Sequence, residues 1–290
     1  MNIRQTNSTL IVGGDSTIGG ILAEAYEVDS KPVWKTTRHR NKVNKRCLFL
    51  DLFDDLNSWH LPHELIRTAI FCAAVTSHEE CRLNPELSWR VNVRSTVALA
   101  TRMVEAGVFV VFLSSNAVFN GDSAHACSTD QPTAITEYGR QKAEAERQLI
   151  KLGDRVAIVR FSKVITPKMP LIKDWIRNLK TGNVIHPFLD MMISPVPVTF
   201  ATSVLSEIAL KQIPGIFQVS AKQDITYANL AGYIADKLNV NDELVQPISY
   251  RDVGFTDVAR NTTLDSSGLT VLGLQPPDVF TGVDETFELN

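Results

Sequence analysis

The chain has 290 residues, 44% of them hydrophobic, enough to bury one large core or two modest ones. With 29 Lys and Arg against 32 Asp and Glu, a net charge of -3 and a pI near 6.1, nothing in the balance points to nucleic acid or to an anionic membrane surface. Met1 to Ser8 is polar, the apolar run after it breaks at Gly13, and no stretch reaches membrane-spanning length, so neither a secretory leader nor a membrane span is expected.

The first predicted element is the short β-rich run Thr9-Leu10-Ile11-Val12. Gly13-Gly14-Asp15-Ser16-Thr17-Ile18-Gly19-Gly20 follows it, and then a helical stretch from Ile21 to about Tyr26. Strand, glycine turn and helix in this order suit a dinucleotide pyrophosphate, because bare backbone approaches closely and the positive end of a helix dipole follows. Read as G-x-x-G-x-x-G, the outer positions are Gly13 and Gly19, but the middle one is Ser16.

Apolar, β-branched runs then alternate with helical stretches at residues 32–36, 47–50, 69–73, 108–113 and 157–161. That alternation predicts an α/β fold of the Rossmann type, a doubly wound parallel sheet with helices on both faces. The end of the second run reads Lys35-Thr36-Thr37-Arg38-His39-Arg40, with no acid. A free ribose usually meets a carboxylate there and a 2′-phosphate needs cations, so NADP(H) is favoured over NAD(H), with Arg38 on the phosphate and Thr37 assisting. The other reading of this stretch is a solvated basic turn, since Lys42, Lys45 and Arg46 extend the charge. Asp51, just past the third run, is placed to meet the adenine edge.

The fifth run ends in Leu113-Ser114-Ser115, and about two dozen residues later comes Tyr138-Gly139-Arg140-Gln141-Lys142. On a helix, positions i and i+4 share a face, so a Lys142 ammonium would lie near the Tyr138 phenol and favour its ionised form. Serine, tyrosine and lysine in this order suit the reduction of a carbonyl. Pro167 and Pro170 interrupt the alternation, residues 171–192 read as a helix plus irregular structure, residues 215–220 as one more strand, and 227–238 as a helix. The expected organisation is a dinucleotide-binding domain over 1–164, to which 196–222 returns, and a smaller, mainly substrate-binding part over 165–290.

Cys47, Cys72, Cys81 and Cys127 form no C-x-x-C pair, which fits reduced thiols and a cytoplasmic location. His60 and His63 have Pro62 between them and no third ligand near in sequence, so no metal site is expected.

Several stretches together resemble the extended short-chain dehydrogenase/reductases, and within them the dTDP-4-dehydrorhamnose reductase-like branch. They are the glycine turn, Ala73-Ala74-Val75-Thr76, Asn84-Pro85-Glu86-Leu87 leading to Val91-Asn92, Leu113 to Gly121, the Tyr138/Lys142 pair, and Asn261-Thr262-Thr263-Leu264-Asp265. The resemblance implies a dinucleotide held by Gly13, Asp15, Ser16, Thr17, Ile18 and Gly19, then by Thr37, Arg38, Asp51, Leu52, Ala73, Ala74, Asn92 and Lys142. It implies an NADP-dependent oxidoreductase acting on a keto group of a nucleotide-activated sugar or a related carbonyl substrate. Ser115 would bond the substrate carbonyl, Tyr138 would protonate the developing alkoxide, and Lys142 would hold the nicotinamide ribose and lower the Tyr138 pKa. Ser115, Asn116, Tyr138 and Met191 would meet the substrate. A homodimer through helices flanking the active-site strand also agrees with the resemblance.

The chain departs from that family at named positions. Asn116 and Ala117 replace the Asp-Tyr pair common in the reductases and lack the Asp-Glu pair of the sugar dehydratases. Met191, Ile193 and Val196 stand where Gln, Gly and Thr are usual, Phe200 replaces an Asp, and Val258-Ala259 replaces an Arg-Pro pair. Loss of polar groups alters substrate discrimination. Two alternatives therefore stand beside the reductase: a non-catalytic dinucleotide-binding regulatory subunit of the same fold, like the β subunit of methionine adenosyltransferase, and a nucleotide-sugar epimerase.

Overall fold

The computed structural model describes residues 8–61, 66–254 and 258–289. His63, half of the histidine pair noted above, lies outside them. Among the described residues the central element is a seven-stranded sheet of β1 (Ser8–Val12), β2 (Val33–Thr37), β3 (Cys47–Phe49), β4 (Ile66–Phe71), β5 (Phe109–Ser115), β6 (Val156–Phe161) and β10 (Gly215–Val219). Its order is β3-β2-β1-β4-β5-β6-β10, and it is the parallel sheet that the alternation of apolar runs predicts. Leu10 pairs with Trp34 on one side and Ala69 on the other. The chain leaves β1 in one direction and returns to β4 in the other, so the loops after these two strands diverge and open a crevice at their carboxyl ends.

Parallel strands covered on both faces lose the in-out alternation of a half-solvated sheet. Every residue of β1 and of β6 is accordingly buried. On one face Leu10, Val12, Phe71, Val110, Phe112 and Ile158 form a core with Leu99 and Met103 of α4 (Thr96–Glu105) and Ala145 and Leu149 of α5 (Glu137–Leu149). Leu22, Ala23 and Tyr26 are the buried residues of α1 (Thr17–Val28) with Gly19, and Thr68 of β4 bonds the Ala209 carbonyl at 3.2 Å in α7 (Val198–Lys211). Two short helices, α2 (His78–Leu83) and α3 (Pro85–Trp89), and the π-type turn Arg90–Ser95 lead from β4 into α4.

The chain divides into two units. The first comprises Met1–Val118, Ala134–Arg160 and Thr202–Phe217; the second comprises Phe119–Thr133, Phe161–Ala201 and Gln218–Asn290. In the second, β7 (Val164–Ile165) pairs in parallel with β9 (Val196–Pro197), and β8 (Met192–Ile193) pairs antiparallel with β11 (Ile225–Thr226). It also carries α6 (Pro170–Lys180), opened by Pro170 at its first turn, α8 (Tyr227–Lys237) and α9 (Val279–Phe287). The Asn261-Thr262-Thr263 motif is a clamp of this unit: Asn261 Nδ2 donates to the Gly121 carbonyl at 3.0 Å, Thr262 Oγ1 to the Met192 carbonyl at 3.1 Å, and Thr263 Oγ1 accepts the His125 amide at 3.0 Å. No helix among the described residues is long and apolar enough to cross a membrane.

Candidate active site

At the carboxyl ends of β1, β2 and β4 lies a cleft of about 160 Å³. It gathers Gly13, Asp15 and Ser16 from the glycine loop, Thr37 and Arg38 from β2, Asp51 and Leu52 from behind β3, and Ala73 and Ala74 from behind β4. The close backbone approach has a physical cause at Gly13, which has φ +94° and stands so near the Ala73 main chain that a Cβ would fall 2.6 Å from its nitrogen. Its amide donates to Thr36 Oγ1 at 2.9 Å, a contact the sequence reading had not included, and this ties the loop to β2.

Ser16 has a definite task. It is the N-cap of α1: its Oγ accepts the Gly19 amide at 3.1 Å and donates to the Gly13 carbonyl at 2.8 Å. The hydroxyl thus satisfies one orphan donor of the helix and staples the turn, which is how the loop keeps its shape without the middle glycine. A Cβ on Gly19 would meet Ser16 Oγ at 2.8 Å and Cys72 Cβ at 3.1 Å. Thr17, Ile18 and Gly19 belong to the first turn of α1, and none of them is on the lining of the cleft.

Asp15 carries the densest polar contacts of the loop. Its Oδ2 accepts from Thr37 Oγ1 at 2.6 Å and from the Arg38 amide at 3.0 Å, and its Oδ1 accepts from Lys42 Nζ at 3.1 Å. Partial burial opposes ionisation, but the bonds from Thr37, Lys42 and the Arg38 amide outweigh it and hold the carboxyl below its ordinary range. Asp51 accepts the Phe53 amide at 3.0 Å while lining the cleft.

Behind the cleft, Asn92 joins its wall to α5. The Asn92 side chain, 1% exposed, accepts the Val75 amide at 2.8 Å and donates to the Val75 carbonyl at 2.9 Å and to Gln141 Oε1 at 2.8 Å. Gln141 then donates to Ser88 Oγ at 2.8 Å and to Glu137 Oε1 at 3.0 Å. Gln141 is fully buried between the two residues that sequence reasoning singled out on this helix, yet as one polar residue of a polar helix it gave no signal.

Helix α5 is capped by Thr136, whose hydroxyl accepts the Gly139 amide at 3.1 Å. It presents Tyr138 toward Ser115 at the end of β5, near enough for the Ser115 hydroxyl to favour the ionised phenol. Ser115 Oγ also accepts the Ala117 amide at 3.2 Å and lies 3.3 Å from Asn116 Oδ1. Lys142 is 3% exposed; its ammonium donates to the Leu113 carbonyl and lies 3.9 Å from the centre of the Phe112 ring.

The charge balance of the pair differs from the one its spacing predicts. Burial foremost, and the neighbouring Cys81, push the Tyr138 phenol above its ordinary range, while the Ser115 hydroxyl pulls the other way. Burial pushes the Lys142 amine down to about 7, against the attraction of the Glu146 carboxylate. Lys142 points its charge at a carbonyl and a ring face, so the cation that should ease ionisation of Tyr138 is engaged elsewhere. In addition, the His78 ring packs at a tilt of 44° against Tyr138, with ring centroids 5.1 Å apart.

A sequence model for the family described as RmlD substrate binding domain matches residues 7–287. The chain belongs to that family. It is therefore an extended short-chain dehydrogenase/reductase by descent. Among curated relatives, the methionine adenosyltransferase 2 subunit beta of Mus musculus is 24% identical over 96% of this chain and 86% of its own length. The dTDP-4-dehydrorhamnose reductase of Bacillus anthracis, solved with NADP, superposes with a TM-score of 0.84 at 20% identity, covering 98% of this chain and 99% of that one. MoeE5, solved with UDP-glucose and NAD, gives a TM-score of 0.80 at 22% identity and covers 97% and 98%. These likenesses establish the fold.

Within the RmlD family frame, the substituted positions of the second unit divide by burial. Ile193 and Val196 are 2% and 0% exposed and belong to the packing of that unit. Met191 and Phe200 are half-buried. Ala259 lies against Gly121, where a Cβ on the glycine would come within 2.6 Å of Ala259 Cβ. Among the described residues no group of three His, Cys, Asp or Glu side chains is arranged to hold a metal ion.

Proposed function

We propose that this protein binds a nicotinamide dinucleotide in the glycine-loop cleft and reduces a keto group on a nucleotide-activated sugar. Ser115, Tyr138 and Lys142 act on the substrate carbonyl, with Asn116 beside it. The observation that carries the reading is that Tyr138 faces Ser115 at the end of β5, on a helix joined through Gln141 and Asn92 to the wall of a cleft with a glycine cradle. The residues present fit such a cofactor, since Gly13 at φ +94° lets the loop backbone pass close against the Ala73 main chain at the cleft, and Asp51 and Thr37 offer polar edges. The basic turn of β2 speaks for NADP(H), and the Asp15 carboxylate beside it speaks for NAD(H).

When bound, the dihydronicotinamide supplies a hydride to the carbonyl carbon. Ser115 Oγ donates to the carbonyl oxygen and polarises it. Tyr138 gives its phenolic proton to that oxygen as the alkoxide develops, so the alcohol leaves complete and a phenolate stays behind. A buried phenolate needs a positive neighbour, and Lys142, on the same helix face, serves once it turns from the Leu113 carbonyl to the phenolate. Its proton is the reserve from which the phenol is restored.

The test is reduction of a panel of 4-keto nucleotide sugars, followed by dinucleotide oxidation, with wild type and Tyr138→Phe. Removing the proton donor should lower kcat by a factor of about 10² or more while dinucleotide binding persists. Turnover equal to an active wild type would sink Tyr138 as the proton donor, and no turnover of any sugar by wild type would sink the enzymatic reading. A second reading is favoured by one observation, the match over 96% of this chain to a methionine adenosyltransferase 2 subunit beta. On that reading the fold binds dinucleotide and modulates a partner enzyme, and Tyr138→Phe leaves the partner's rate unchanged.

A further inference from the structure

The third residue of the glycine loop turns its carboxylate toward the end of β2. Thr37 Oγ1, the Arg38 amide and Lys42 Nζ all donate to it, at 2.6, 3.0 and 3.1 Å, and His39 Nε2 lies 3.9 Å from Oδ2. A hydroxyl, a main-chain amide and a lysine ammonium at this strand end are the donor set that a ribose 2′-phosphate would use. Here they already converge on an anion that belongs to the protein.

We infer that Asp15 is the residue that selects the cofactor, and that its carboxylate makes the cleft take NAD(H) in preference to NADP(H). This rests on the dinucleotide reading proposed above. A 2′-phosphate brought to this place would add a dianion beside a carboxylate and would compete with it for the same donors. A 2′-hydroxyl, by contrast, is a donor. Oδ1 has a single neighbour, Lys42, and the side chain is 22% exposed, so a lone pair is within reach of a ribose in the cleft. Arg38, exposed on the rim, is then available to stack on the adenine rather than to bind phosphate.

The expectation drawn from the basic turn is thereby reversed for a physical reason. Selectivity depends on which charge stands at the ribose edge in space. The carboxylate reaches that edge from the preceding loop, 22 residues before Thr37, and not from β2 itself. A search along the strand end finds only its cations.

The experiment is titration calorimetry of the full-length protein with NADH and with NADPH, for wild type, Asp15→Asn and Asp15→Ala, each first shown folded by its thermal melt. Wild type should bind NADH about ten-fold or more tightly than NADPH, and both variants should gain NADPH affinity by about ten-fold as Thr37, Arg38 and Lys42 are released. Tighter binding of NADPH by wild type overturns the inference and leaves the dinucleotide reading intact, as does an NADH/NADPH ratio unchanged in folded Asp15→Asn. Binding of neither nucleotide by wild type overturns both. The wild-type ratio decides the matter even where a variant does not fold.

Discussion

Gly139 stands directly on the main-chain carbonyl of Ala117. A Cβ there would also fall 2.9 Å from the Ala117 carbonyl carbon and 3.1 Å from Ala134 Cβ. This approach seats α5 against the end of β5, where Tyr138 faces Ser115. The residue after the tyrosine is thus as much a part of the site as the tyrosine.

Propensity and packing predict opposite results for Gly139→Ala. Helix propensity alone would stabilise the variant by about 1 kcal/mol. The clash is with backbone, which does not swing away, so the net result should be destabilisation of about 2–3 kcal/mol and a lower urea midpoint. A raised midpoint would show that α5 is seated differently.

Ser16 should tolerate glycine better than alanine. Loss of the cap in Ser16→Ala should lower stability by about 1 kcal/mol, whereas Ser16→Gly should lower it by only a few tenths. Because Ser16 Oγ is turned to Gly13 and Gly19, restoring the glycine should leave dinucleotide affinity within about three-fold of wild type. A large gain in affinity would mean that the hydroxyl obstructs the cleft.

Lys142 should make stability depend on pH in one direction. Its folded pKa of about 7 lies below the ordinary 10.5, so the unfolded chain holds more protons between these values and stability rises with pH across that window. The penalty is present in full below about 7 and fades toward 10.5. Lys142→Met should therefore stabilise the cofactor-free protein by a few kcal/mol at pH 6 and by much less at pH 10, measured by denaturant unfolding. An equal difference at both pH values would show that the lysine is not desolvated.

Glu146 and Arg160 form a buried pair, each side chain 2% exposed, with Nη2 2.7 Å from Oε2. Removing one partner, as in Glu146→Ala, should lower stability by about 3–5 kcal/mol because the buried Arg160 charge loses its carboxylate. The double variant Glu146→Leu with Arg160→Met should recover most of that loss. If both single variants are mild, water reaches the pair. Glu146 also supports the charge of Lys142, so Glu146→Leu should depress the lysine further.

The sheet was legible because its strands are apolar on both faces and its connections are helical. Runs such as 108–113 and 157–161 announce a covered parallel strand wherever they occur, and β5 and β6 lie on them. The glycine turn was legible for the same kind of local reason, since Gly13 needs a positive φ. Helix α5 shows where such reading stops. Gln141, Lys142 and Glu146 are all buried on a helix whose composition suits solvent, and each is accommodated by one particular neighbour, Asn92, the Leu113 carbonyl or Arg160.

By itself the sequence determined the family, the order of strands and helices, and which residue types could carry carbonyl chemistry. These follow from periodicity, turn chemistry and motif order, which are properties of neighbouring residues. Only the tertiary structure decided that Asp15 reaches the end of β2, that Ser16 caps a helix, and that Lys142 is turned to a carbonyl instead of its tyrosine. Charge, hydrogen bonding and desolvation act over a few ångströms in space, and groups brought that close here, such as Thr68 and the Ala209 carbonyl, are separated by 141 residues along the chain.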